Sequence, residues 1–298
     1  MKTLALPQRL QGSMPALVTP FRDGRVDEDA FREHVEWQVA QGSTALVPCG
    51  TTGETPTLTH EEQHRLFSVT VEAAAGRVPV IAGCGSNDTR VAAEHLRAAA
   101  DAGADAALVV VPYYNKPSQA GLLAHHRALA EASPLPVILY DVPGRTVTGY
   151  AVETVAELAR LPGVIGIKDA TGDLGRVTAY RLGCGPGFVQ LSGDDGSALG
   201  HLAMGGVGCI SVTANVAPRL CADLAAAALA GRWNKARTLQ DRLYPLHAAL
   251  FTDSSPGPAK YALSRLRGFS PELRLPLVDP SDASRRAVDA ALEHAGLT

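Results

Sequence analysis

Runs of apolar, largely β-branched residues recur along the chain at 15–20 (PALVTP), 45–50 (ALVPCG), 78–85 (VPVIAGCG) and 106–114 (AALVVVPYY). They continue at 135–144 (LPVILYDVPG), 164–170 (VIGIKDA), 188–195 (FVQLSGDD) and 208–216 (GCISVTANV). Apolarity within each run is nearly continuous rather than alternating, the pattern of strands buried on both faces of a parallel sheet. Helical stretches lie between them. Residues 27–42 open on acidic side chains, place apolar residues at helical spacing and stop at a glycine; 89–105 and 152–163 follow the same scheme. Eight strands alternating with helices predict an α/β chain folded as a (β/α)8 barrel over residues 1–221. The alternative is a doubly wound open sheet, but no GxGxxG follows the first run and no acidic residue marks the second strand for a ribose. From 222 to 298 helix formers continue without a further strand run, which predicts a C-terminal helical domain with a turn at 252–258 (TDSSPGP).

Composition narrows the function classes. The chain has 298 residues, 46% hydrophobic and 19% charged, so it has ample material for a large core. A net charge of −3 without a basic stripe gives a nucleic-acid partner little support, and no run is long enough to span a bilayer. Pro7, Gln8 and Arg9 interrupt the apolar part of the N-terminus, so the start reads as cytoplasmic. Five scattered cysteines without a CxxC pair read as buried free thiols in a reducing compartment.

In such barrels the chemistry sits at the C-terminal ends of the strands. There the sequence offers Thr51, Thr52 and Glu54, then Tyr113 and Tyr114, Tyr140 with Arg145 beyond it, and Lys168. This ring holds one amine, several hydroxyls and one guanidinium, without the His and carboxylate cluster of a catalytic metal, so no metal and no cofactor is expected. Lysine is scarce in the chain, restricted to Lys2, Lys116, Lys168, Lys235 and Lys260. A lysine ending a core strand therefore suggests a need for an amine. Burial in an apolar pocket lowers a lysine pKa, and the neutral amine attacks a ketone to give a Schiff base. Tyr140, on the neighbouring strand, is placed to move protons, and Arg145 suits a bidentate grip on a carboxylate. A plainer reading of Lys168 also stands: a strand-end lysine paired with Asp169 or reaching to water.

The segments GTTGETPTL, VVVPYYNKPSQAGL, LPVILYDVPGRT, VIGIKDATGDL, LSGDDGSAL and GGVGCISVTANVAP, in this order, resemble the dihydrodipicolinate synthases of the class I pyruvate aldolase superfamily. The resemblance implies a lyase in which Lys168 forms a Schiff base with pyruvate. The enamine adds to L-aspartate-β-semialdehyde, giving 4-hydroxy-tetrahydrodipicolinate on the way to diaminopimelate and lysine. It implies Tyr140 as proton donor and acceptor and a relay through Thr51 and Tyr114, the latter reaching in from a neighbouring subunit of a homotetramer, a dimer of dimers. Thr52 and the Ile210 backbone are implied to hold pyruvate, and Arg145 the second substrate's carboxylate. Sialic acid and keto-deoxy sugar acid lyases share the lysine and the tyrosine, and a barrel reduced to a binding module is a third reading. Asp141 stands where such sequences more commonly have asparagine, and little consequence is expected from a residue that flanks the site. In lysine-inhibited relatives a cleft corresponds to His60, Gln63, Asn87, Val91 and Tyr113. His60, Asn87 and Tyr113 are retained there, whereas Gln63 and Val91 replace a histidine and the glutamate that would pair with the ammonium of lysine. Weak or absent feedback by lysine is expected.

One motif points elsewhere. HEEQH at 60–64 matches the HExxH of zinc proteases. Thr59 and Glu62, however, form a capping-box pattern that makes this stretch the first turn of a helix, with no third ligand evident.

Overall fold

The computed structural model describes residues 5–298. Its main sheet is wholly parallel and curls back on itself. Gly12–Pro15 pairs with Gly208–Ser211, and the ladder runs on through Val189–Ser192, Val164–Asp169, Val137–Asp141 and Ala106–Val110 to Ile81–Gly83. The gap between first and last is filled by residues 45–48. Isolated bridges join Ala16 to Val47 and Leu46 to Val80. The amides of Leu17 and Ile81 donate to the carbonyls of Val47 and Leu46, at 2.9 and 2.8 Å. The barrel therefore closes, as its apolar runs predict. Pro48 and Pro79 lack an N–H, which limits this eighth strand to bridges rather than a full ladder.

The observed strands are shorter than the runs that predict them. The first is displaced to Gly12–Pro15 from the expected 15–20, and the last ends at Ser211, where a 3-10 turn over Thr213–Asn215 takes over. Beyond several strand ends apolar residues, among them Leu17, Val18, Val111 and Ala214, are buried in the rim loops instead. Helices Glu28–Ala40 and Thr89–Asp101 begin where aspartates accept from the first-turn amides, Asp27 from Ala30 and Asp88 from Arg90. Val152–Leu158 ends earlier than its pattern suggests.

Inward side chains of the strands, including Met14, Val47, Ile81, Leu108, Ile138 and Ile210, fill the barrel. A separate core joins Val18, Leu202 and Ala214 of the barrel to Leu224, Leu246 and Leu263 of the C-terminal helices. These helices are Pro218–Leu229, Trp233–Ala249, Gly257–Arg267 and Asp282–His294. The first of them runs through position 221. No described helix is long and apolar enough to cross a membrane.

Candidate active site

Strands Val137–Asp141 and Val164–Asp169 pair so that Tyr140 lies opposite Lys168 and Asp141 opposite Asp169. Alternation along a strand turns one pair inward and the other outward. Tyr140 packs with the barrel interior, and Lys168 Nζ stands 4.0 Å from the centre of its ring. Lys168 is 5% exposed. Asp169, its neighbour in sequence, is held on the other face by Thr171, Arg176 and Tyr180. No described carboxylate lies within ion-pairing distance of Lys168 Nζ, so the reading of a strand-end lysine paired with Asp169 or reaching to water does not describe it.

Space for this side chain comes from Gly193, in the turn after Val189–Ser192. A Cβ there would lie 2.9 Å from Lys168 Cε and 2.8 Å from Ala170 Cβ. The sequence reading passed over Gly193, because a glycine in SGDD is indistinguishable from an ordinary turn residue.

Beside this pair opens a cavity of about 390 Å³. Thr51, Tyr140 and Arg145 line it, together with Tyr113, His60 and His95. Lys168, Thr52 and Ile210 are buried and do not form part of its lining. Thr51 and Tyr140 share the cavity without a direct hydrogen bond. Arg145 is exposed, in the short helix Pro143–Thr146. Tyr114 is 87% exposed, with φ of 71°, and does not line its own chain's cavity.

The loop carrying Thr51 and Thr52 is a 3-10 turn over Thr51–Gly53, fixed from several sides. The hydroxyls of Thr19 and Thr55 donate to the carbonyls of Gly53 and Gly50, at 2.7 and 2.8 Å. Glu54, left-handed at φ 56°, accepts from Lys260 Nζ at 2.7 Å, and both side chains are buried. Lys260 comes from the third C-terminal helix, a connection 206 residues long in sequence that no local pattern announces.

Gln63 spends its amide on the Gly83 carbonyl at 2.7 Å. Val91 presents an apolar surface, and no carboxylate is among the cavity's lining residues. Asn87 faces its neighbourhood with a backbone carbonyl that accepts from Asn115. HEEQH forms the first turn of helix His60–Ala74, with the Thr59–Glu62 capping box in place. Glu62 is further engaged by a two-pronged contact from Arg274 at 2.6 Å. His64 Nε2 lies 3.1 Å from His95 Nδ1, and burial lowers the pKa of His95 to about 4.

Residues 9–295 match the model of the dihydrodipicolinate synthetase family. The 4-hydroxy-tetrahydrodipicolinate synthase of Sphingopyxis alaskensis is 61% identical, covering 96% of this chain and 99% of that protein. That of Rhizorhabdus wittichii is 63% identical with the same coverage. The structure of the chloride-inhibited dihydrodipicolinate synthase from Acinetobacter baumannii, complexed with pyruvate, superposes with a TM-score of 0.94. It is 43% identical and covers 97% of this chain and 100% of that one. A closed parallel barrel, a buried strand-end lysine against a tyrosine and relatives matched from end to end converge: the chain belongs to the dihydrodipicolinate synthetase family.

Proposed function

We propose that Lys168 is the Schiff-base residue of a 4-hydroxy-tetrahydrodipicolinate synthase acting on pyruvate and L-aspartate-β-semialdehyde. The observation that supports this reading most is the inward Tyr140–Lys168 pair, with its amine buried and without a carboxylate partner. The Nζ lone pair adds to C2 of pyruvate, and loss of water leaves an iminium. Loss of a C3 proton gives the enamine, whose C3 attacks the aldehyde carbon of the second substrate. The substrate's own amine then adds to C2 and displaces Lys168 as the ring closes. The sum is one 4-hydroxy-tetrahydrodipicolinate and one water from the two substrates.

Tyr140 is the proton carrier in this reading, because its ring lies against Lys168 Nζ and the residue lines the cavity. Thr51 lines the same cavity and extends the path toward solvent. Tyr114 is exposed on its own chain, which suits the proposed role in a neighbouring subunit of a homotetramer. Thr52 and the Ile210 backbone are proposed to hold pyruvate, and Arg145, which lines the cavity, the carboxylate of the semialdehyde. The cleft around His60, Asn87 and Tyr113 is proposed to bind lysine weakly, because Val91 offers its ammonium no charge partner.

Borohydride reduction in the presence of pyruvate is expected to add a pyruvate-derived mass to the peptide containing Lys168. Lys168→Arg, which keeps the charge, is expected to lose the adduct and all turnover. A wild-type enzyme without the adduct, or a variant with near-normal turnover, overturns the reading. Turnover of aspartate semialdehyde, set against sialic and keto-deoxy sugar acids, tests the substrate.

A further inference from the structure

Directly behind the Tyr140–Lys168 pair, on the outer face of the sheet, stand two carboxylates, Asp141 and Asp169. They are 1% and 7% exposed. Arg176, in the helix Gly175–Cys184, reaches both. Its Nη2 donates to Asp141 Oδ2 at 2.7 Å and its Nε to Asp169 Oδ2 at 3.0 Å. Nη2 also donates to the Tyr150 carbonyl at 3.0 Å. The Tyr180 hydroxyl, itself hydrogen-bonded to the guanidinium, donates to Asp169 Oδ2 at 3.2 Å. Thr171 closes Asp169 Oδ1 with its amide and its hydroxyl. The Tyr150 amide approaches Asp141 Oδ2 at 3.4 Å, and the Tyr150 hydroxyl is 2.7 Å from His126 Nε2.

We propose that Arg176 is a positioning residue for the imine chemistry: it ties the ends of the two strands together and so holds Tyr140 against Lys168. Three observations carry this. The catalytic pair lies one residue from the end of its ladder, beyond which one backbone bond, from the Ala170 amide to the Asp141 carbonyl at 2.9 Å, joins the two strands. The ladder between these strands is also irregular near its start, with a register shift between Val137 and Ile138, so the opposite end bears more of the alignment. A single planar guanidinium bonds one carboxylate from each strand, a geometry that an ammonium reproduces only in part.

The site is also electrostatically unbalanced, with two buried acids for one cation. Asp141 Oδ1 has no partner among the described residues. Gly149 leaves room for it, since a Cβ there would lie 2.7 Å away. Burial, offset by Arg176 and reinforced by Asp169, raises the Asp141 pKa to about 6. In this proposal Asp141 does more than flank the site. Without Arg176 nothing holds the Asp141 carboxyl down, so it takes up a proton and the two strand ends lose the cation they share; displacement of the pair by about 1 Å is enough to cost a large factor in rate.

This inference rests on the Schiff-base reading of Lys168, and the experiment separates the two. Wild type, Arg176→Lys, Arg176→Met, Asp141→Asn and the double variant Arg176→Met/Asp141→Asn are compared. The measurements are kcat, the KM for pyruvate, the rate of borohydride-trapped imine formation and the melting temperature. The double variant replaces the buried carboxyl that would lose its cation with a neutral amide, so it tests the tie should Arg176→Met alone not fold. It is expected to lower kcat and the trapping rate by at least about tenfold while the KM for pyruvate changes less than about threefold. Arg176→Lys is expected to recover part of the loss. A double variant with wild-type kcat and trapping rate overturns the proposal, as does Arg176→Lys at full activity should the double variant not fold. Absence of trapping in the wild type instead overturns the role of Lys168.

Discussion

The imine role proposed for Lys168 needs a walled path for the lysine's four methylenes as much as a buried amine. Gly193 supplies part of that path, because any Cβ there enters the space of Lys168 Cε and Ala170 Cβ. The lysine can yield along its flexible chain, whereas Ala170 Cβ yields only with its backbone, so both the amine and the end of its strand are displaced. Gly193→Ala is expected to fold and to bind pyruvate, and to slow imine formation by about 10- to 100-fold through misplacement of the amine. Borohydride trapping against time measures this directly, and an unchanged trapping rate rejects it. Lys168 and Tyr140 were legible in the sequence because each ends an apolar run in a chain that otherwise uses arginine as its cation. Gly193 and the outward Asp141 were not. What defines them is an atom brought close by the fold, and neither leaves a mark on local periodicity.

At the scale of elements, the buried pair of Glu54 and Lys260 joins the loop carrying Thr51 and Thr52 to helix Gly257–Arg267. Lys260 also donates to the Glu272 carbonyl and lies 4.4 Å from the centre of the Phe21 ring. Glu54 Oε2 accepts in turn from the Arg274 amide at 3.1 Å. Removing one partner of a buried pair leaves the other charged and desolvated, at a cost of about 3–5 kcal/mol. Lys260→Met is therefore expected to destabilise the enzyme by that amount in urea unfolding and to loosen the loop carrying Thr51. The double change Glu54→Gln/Lys260→Met is expected to recover part of it, because no uncompensated charge remains. A single variant as stable as wild type counts against the pair as the loop's anchor. Strand existence was readable from continuous apolarity, but strand ends were not, since apolar residues continue into buried rim loops such as Thr213–Asn215. The second strand was readable as a run, although Pro48 and Pro79 reduce it to bridges. The HEEQH segment was correctly read through its cap: the Thr59–Glu62 exchange of hydrogen bonds accounts for the spacing.

For the whole molecule, the C-terminal helices share a core with the barrel, and we propose that they stabilise the rim rather than act as a separate catalytic unit. Acid stability belongs to this scale because its determinants are spread over several helices. Burial lowers the pKa of His34, His125 and His201 to about 4 and of His126 to about 3. Each is held through one ring nitrogen or packed away, and in all four a ring nitrogen has no partner, so protonation would bury an unpaired N–H. Their folded pKa values lie below the unfolded value near 6.5. The unfolded chain therefore binds more protons between about pH 4 and 6.5, and stability rises with pH across that window and is complete above it. Asp141 works the other way. Its folded pKa of about 6 lies above the unfolded value, so it adds stability at acid pH that is lost as pH rises through 6. At pH 5 each histidine costs on the order of 1–2 kcal/mol, and the single aspartate offsets about one of them. Three uncompensated histidines amount to a large part of a net stability of about 5–15 kcal/mol. The melting temperature is accordingly expected to be flat from pH 8 to 7 and to fall steeply between pH 6.5 and 5. His126→Gln, which keeps a hydrogen-bonding group near Tyr150 without a titrating ring, is expected to flatten part of that slope. A melting temperature independent of pH down to 5 would show that these histidines are hydrated enough to take up protons in the folded enzyme.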